Sequence, residues 1–148
     1  MTQPRIKKLP KKIYEYIYSK VPRVTVEVVC VNKEGILLTL RDFGLWKGQW
    51  HFPGGGILKG ESMFDTVKRV AKQELGVEAE IEGFLGIIEW LPATNIAKVH
   101  GYSLCFLVHL KSENIKLDEQ ASAYQFFKEI PENTITEQKN FILLNELI

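Results

Sequence analysis

A chain of 148 residues, 45% hydrophobic and 25% charged, is of ordinary length and composition for one compact domain with one core. Its formal net charge of +1 argues against a general binder of long nucleic acids, but not against a small anionic ligand held by local loops and a metal. The longest apolar runs, such as Leu104 to Leu110, are too short to span a bilayer, and the basic segment Met1 to Lys12 lacks the apolar core of a signal peptide. A cytoplasmic protein with no membrane partner is therefore expected. Cys30 and Cys105 lie in β-rich apolar stretches and read as buried thiols; no Cys/His cluster has zinc-ligand spacing.

Lys11 to Lys20 is expected to be helical, with Ile13/Ile17 and Tyr14/Tyr18 at helical spacing, Pro10 in its first turn and Pro22 closing it. Lys7, Lys8, Lys11 and Lys12 read as a solvated face. Arg23 to Val31 is β-branched and reads as a strand. Val24, Val26, Val28 and Cys30 would share one of its faces, and Thr25, Glu27, Val29 and Val31 the other. A turn at Asn32 to Gly35 leads to a second strand, Ile36 to Arg41, then a loop to Gln49 and a short extended stretch from Trp50 to Pro53. Gly54, Gly55 and Gly56 suit backbone conformations closed to other residues, or the close approach of a ligand. Ser62 to Leu75 is the clearest helix, capped by Ser62 with Asp65 as partner and stopped by Gly76. Val77 to Trp90 reads as one or two extended segments, Pro92 to Gly101 as a loop, Tyr102 to Leu110 as a strong strand and Ala123 to Phe127 as a shorter one. Thr136 to Leu147 closes the chain as a helix with Phe141, Leu144 and Leu147 on one side. Strands mixed with a few helices imply an α/β or α+β sandwich.

One carboxylate stands out. With Met63 at zero and about 100° per residue, Val70, Val67 and Ala71 form an apolar stripe, and Glu74 falls at about 20°, in its middle. A carboxylate facing the protein body needs a metal, a cation or a proton to neutralise it. A structural ion pair and a metal or catalytic role both remain open on the wheel alone.

The stretch Gly54-Gly55-Gly56-Ile57-Leu58-Lys59-Gly60-Glu61-Ser62, continued by Arg69-Val70-Ala71-Lys72-Gln73-Glu74-Leu75-Gly76-Val77, resembles the Nudix box. The second half of that pattern reads R-E-U-x-E-E-x-G-U, with U aliphatic. Gly55, Glu61, Arg69, Ala71, Glu74, Gly76 and Val77 stand at matching positions, and Trp50 and Pro53 sit where the family often has them. The resemblance implies a Nudix α/β/α sandwich with a mixed β-sheet, spanning 1–148 as a single domain with an N-terminal helical extension over 1–22. Two positions depart from the pattern: Val70 and Gln73 replace glutamates that hold metal ions in Nudix pyrophosphohydrolases. With Glu74 alone from the helix, a single Mg²⁺ (or Mn²⁺) is the expected cofactor, because Mg²⁺ takes few protein ligands plus phosphate oxygens and water.

A box thinned in the same way is found in the GDP-mannose mannosyl hydrolase branch, which cleaves the sugar C–O bond. Asp118-Glu119-Gln120 followed by Tyr124, Arg41 ahead of Trp50, Glu27 on the first strand and Tyr102 resemble further features of that branch. The resemblance implies metal ligation by Glu74, the Gly54 carbonyl and Gln120. It implies catalytic roles for Arg69, Glu61 and Arg41, and substrate contacts from Arg41, Glu27, Tyr102 and Trp50. Arg69 is equally a common structural partner of box carboxylates.

The match then breaks. Ala121 stands where the branch has its general-base histidine, and Gly56 where it has a substrate-binding arginine. Losing a general base removes roughly 10²–10⁴-fold in rate. Glu61, Glu89, His100 and His51 are the available replacements, and Trp46, Trp50, Trp90 and Tyr102 the aromatics able to stack on a base or sugar. Three functions follow: hydrolysis of a nucleotide sugar such as GDP-mannose; pyrophosphohydrolysis of ADP-ribose or a nucleoside triphosphate, which needs added carboxylates such as Glu61 and Glu89; or nucleotide binding with little turnover. In each the partner is a small nucleotide, and the N-terminal helix is the element expected to serve a homodimer.

Overall fold

The computed structural model describes residues 8–148, so Lys7 of the basic face lies outside it. Helix α1 (Lys11–Tyr18) starts one residue after Pro10, which takes the N-cap rather than the first turn, at φ −56° and ψ 143°. Its Tyr14 and Tyr18 rings meet edge to face at 4.8 Å. Strand β1 (Arg23–Val29) carries the alternation its sequence predicts. Val26, Val28 and Cys30 enter one core, and Val29 enters the other. The short β2 (Val31–Asn32) turns into β3 (Gly35–Arg41), and β4 (Trp50–His51) and β5 (Gly54–Gly56) follow.

Ser62 caps helix α2 (Met63–Val70) by accepting the Asp65 amide at 3.0 Å. The helix does not run on unchanged to Leu75. Its last turn, Ala71–Leu75, widens to a π-helix before Gly76 ends it at φ 69°. Single π turns inside helices recur at functional sites. A side chain at Gly76 would also press on Lys116, whose amide bonds the Leu75 carbonyl at 2.8 Å. Val77 to Trp90 resolves into one long strand, β6 (Ala79–Trp90), bulged near Gly83 and Gly86. Strands β7 (Gly101–Leu110) and β8 (Ala121–Phe127) and helix α3 (Thr136–Leu144) complete the chain.

One mixed sheet runs β5-β1-β7-β6, with β1 parallel to β7 and the other pairs antiparallel. A second joins β2, β3 and β4, and β8 pairs with β3. Val67, Val70, Ala71 and Leu75 press the box helix onto one face of the first sheet. Ile36, Leu38, Phe52, Phe141 and Ile142 fill the space between its other face, the second sheet and α3. The expected α3 face needs correcting: Leu144 is 84% exposed, and the buried side is Gln138, Phe141 and Ile142. The Gln138 side-chain oxygen accepts the Phe52 amide at 2.7 Å, which fixes the helix's rotation. Met63 and Phe64, at the start of the box helix, are nearly half exposed beside a groove that Ile81, Phe84, Leu104 and Phe106 also line.

Candidate active site

The glycine run is a β-strand paired to β1, with Gly54 opposite Glu27 and Gly56 opposite Thr25. None of its three glycines has positive φ, so unusual backbone dihedrals are not their purpose. They are small because side chains cross over them. A methyl on Gly54 would collide with Glu27 Oε2, and one on Gly56 would lie 2.5 Å from Arg23 Nη2. The close approach anticipated for a ligand is made by the protein's own side chains.

Glu74, in the π turn, accepts the Gly54 amide at 3.0 Å through Oε2. Its pKa is pushed up to about 8, first by burial and then by the negative charge of Asp118, against the Gly54 hydrogen bond, Arg41 and Lys8. Glu27 lies on the far side of Gly54, almost fully buried. Its Oε1 accepts the Ser103 hydroxyl at 2.9 Å; that hydroxyl also accepts Trp90 Nε1 at 2.8 Å and touches Thr25 Oγ1 at 2.6 Å. Burial lifts Glu27 to about 8, and the charge of Glu74 adds to it. Two carboxylates that resist ionisation, one on each side of a glycine strand, make a site where a cation or a proton is required.

Arg41 closes this cluster from β3. Its guanidinium stacks 4.1 Å from the Phe43 ring centroid and 5.8 Å from that of Trp46, and Nε donates to the Phe43 carbonyl at 3.3 Å. Burial lowers its pKa, while Glu74 and Glu27 hold it up. Ala121 pairs directly with Arg41, and the Gln120 carbonyl accepts the Asp42 amide at 3.1 Å. The Gln120 side-chain amide donates to Asp118 Oδ2 at 3.2 Å. Asp118, beside Glu74, is a carboxylate of the site that the sequence reading passed over as part of a matched segment.

Arg69 is used differently. It donates Nε to Glu61 Oε2 at 2.8 Å, and Nη2 to Glu61 Oε1 at 2.9 Å and to the Gly56 carbonyl at 2.8 Å. Nη1 reaches Gln73 at 3.2 Å. Glu61 also accepts Thr66 Oγ1 and the Leu58 amide. Burial raises the Glu61 pKa, but the bonds from Arg69, Thr66 and Leu58 outweigh it and hold the carboxylate below its ordinary range. This clamp ties the loop to the helix, so Arg69 and Glu61 position the box. The two substitutions in the pattern fit the same frame. Val70 is buried in the core against Gly55, worth about 1.5–3 kcal/mol of burial, and Gln73 is exposed.

Two of the aromatics named from the sequence lie apart from Glu27. Tyr102 pairs with Val24, so strand alternation sends it to the face opposite Glu27, and Ser103 takes its place in the cluster. Trp50 packs edge-on against Phe127 at 4.8 Å in the second core, while Trp46 stands at the site. Among the replacement bases, Glu89 pairs with Tyr102 on that opposite face. His51 is bound to the Phe52 carbonyl at 2.6 Å and faces Thr39, and burial lowers its pKa to about 4. His100 sits beside the Tyr102 ring, its centroid 6.1 Å away.

A mixed sheet carries a loop-helix-loop against a glycine strand, with Glu74 and Asp118 brought together at the helix end, in a layered α/β fold. The chain belongs to the Nudix family: the NUDIX domain model matches residues 21–141. It is 34% identical to the low-salt glycan biosynthesis protein Agl8 of Haloferax volcanii over 125 residues, covering 82% of this chain and 80% of that one. It is 28% identical to the ADP-ribose pyrophosphatase of Methanocaldococcus jannaschii, covering 82% of this chain and 70% of that one. A MutT NUDIX hydrolase of Burkholderia pseudomallei superposes with TM-score 0.75 at 24% identity, over 87% of this chain and 99% of that one. The chain is thus a Nudix hydrolase, in a family that generally uses divalent metal ions. Among the described residues, no helix is long and apolar enough to cross a membrane.

Proposed function

We propose that the chain hydrolyses a nucleotide sugar, of the GDP-mannose type, at a site holding one Mg²⁺ or Mn²⁺. The observation that carries this is Glu74, set against Gly54 as the one helix carboxylate of the box pattern that remains, with the other two such positions, Val70 and Gln73, turned into core and surface. The donors at hand are hard oxygens, which fit Mg²⁺. Among the described residues no three acidic, His or Cys side chains form a metal cage, which suits an ion completed by substrate phosphates. Glu74, the Gly54 carbonyl and Gln120 would hold it, with Asp118 beside them; the ion would neutralise the diphosphate. Arg41 stabilises charge growing on a departing nucleoside diphosphate. Ala121 cannot take the water's proton, Glu61 and His51 are tied into the structure, and Glu27 is buried against Ser103, so Asp118 beside Glu74 is the carboxylate left for that work. Within this reading residues 1–148 act as one domain in the cytoplasm.

Pyrophosphohydrolysis of the ADP-ribose type is the second reading, favoured by Asp118 as an added carboxylate near Glu74. Of its other requirements, Glu61 is clamped by Arg69, and Glu89 is exposed on β6 opposite Tyr102. The test is incubation with Mg²⁺ and a panel of nucleotide sugars and ADP-ribose, with products separated by chromatography. A nucleoside diphosphate supports C–O cleavage. A monophosphate establishes attack at phosphorus and overturns it, and no product from any substrate overturns both.

A further inference from the structure

Arg23 belongs to no motif, yet it opens β1 on the face that Thr25 and Glu27 share. Tyr14 and Tyr18 of α1 hold its guanidinium from one side, their ring centroids 5.1 and 5.8 Å away. Gly56 makes room for it on the other, and any side chain there would strike it. Among the described residues the guanidinium makes no hydrogen bond or ion pair, whereas that of Arg69 makes four. Arg23 and Arg41 share one electrostatic neighbourhood, each acting on Glu27 and on Tyr14. Both guanidiniums sit over aromatic rings with most donors unused, and each repels the other. Two stacked, half-buried cations without a carboxylate partner are arranged for an anion that bridges them.

We propose that Arg23 is a substrate-binding residue, a guanidinium delivered from β1 into the space left by Gly56, and that with Arg41 it clamps the diphosphate. This rests on the reading of the site given above. It assigns to α1 the role of presenting Arg23, and it explains how the strand can carry glycine where the resembling branch carries arginine.

The test is calorimetric titration of the parent, Arg23→Ala, Arg23→Lys and Arg23→Ala/Gly56→Arg with Mg²⁺–GDP and with inorganic pyrophosphate, each variant checked by its melting curve. Arg23→Ala should weaken both ligands by roughly 10- to 100-fold, the worth of a charged hydrogen bond. Arg23→Lys should lose less. The double variant, which returns a guanidinium to the same space from the neighbouring strand, should recover part of the loss; a purely structural role for Arg23 in docking α1 predicts no recovery. Unchanged affinity in Arg23→Ala overturns the proposal while leaving the function standing. So does a loss that a folded double variant does not reduce; should the double variant not fold, a Lys variant no better than Ala decides against it. A parent that binds neither ligand overturns both readings together.

Discussion

Two charged residues of the box carry opposite kinds of consequence. Arg69 and Glu61 are joined by paired bonds of 2.8 and 2.9 Å, with Glu61 almost wholly buried. Arg69→Ala removes the cation and leaves that carboxylate only its Thr66 and Leu58 bonds, and is expected to cost about 1.5–3 kcal/mol in a urea unfolding curve, the worth of hydrogen bonds to a charged group. Glu74 is poised rather than satisfied, since its one recorded bond comes from the Gly54 amide. Glu74→Gln keeps that acceptor, so the fold should hold. Its Mg²⁺ or Mn²⁺ affinity should fall by more than the roughly 10- to 100-fold that loss of an outer-shell partner costs. Calorimetric metal titration checks this, and unchanged affinity would make Glu74 structural.

At the scale of elements, β5 is the place where the site is most sensitive to size. An alanine at Gly54 meets Glu27 Oε2 and, at 2.8 Å, the Val26 carbonyl, which belongs to the backbone and cannot move aside. At Gly55 the nearest atom is the Val70 methyl at 3.0 Å, a side chain with some freedom. Gly54→Ala should therefore destabilise by at least the roughly 1–3 kcal/mol of overpacking, and Gly55→Ala by less, in matched denaturant curves. The same strand shows where reading a sequence stops. Local pattern was enough for the box helix, its Ser62 cap, its Gly76 stop and the inward-facing Glu74, because helical periodicity and capping act within a few residues. The alternation of β1 likewise revealed that Glu27 shares a face with Val29. Three other features depend on pairings between distant segments. The function of the glycines depends on which side chains of β1 cross them. The face of Tyr102 depends on its register with Val24. The placement of Arg23 over Gly56 depends on both, so no motif marks it.

For the whole molecule, Glu27 and Glu74 both retain protons to about pH 8, against an ordinary value of 4.5. Between those limits the folded state binds more protons than the unfolded chain, so stability is expected to fall as pH rises through that window. Metal-free protein should therefore melt at a lower temperature near pH 8 than near pH 5, with Glu27→Gln flattening the slope. Mg²⁺ should raise the melting temperature most at the upper end, where the carboxylates are most readily ionised. A melting temperature that climbs steadily with pH in the metal-free protein would show that the two groups are ionised in the fold.

The parallel pairing of β1 with β7 has a bearing on how the chain first acquires its shape. Thr25 and Ser103, whose hydroxyls meet at 2.6 Å, are 78 residues apart. During synthesis the central strand therefore waits for most of the chain before its neighbour exists, and its valines stay available to other partners in the interval. Such long-range closure is slow and exposes strand edges to aggregation. Chains released before β7 is complete would lack the Ser103 hydroxyl that holds Glu27. The hydroxyl that holds Glu27 arrives only with β7, and Asp118 and Gln120 only after it, so ligand binding by a nascent chain would report that both segments are in place.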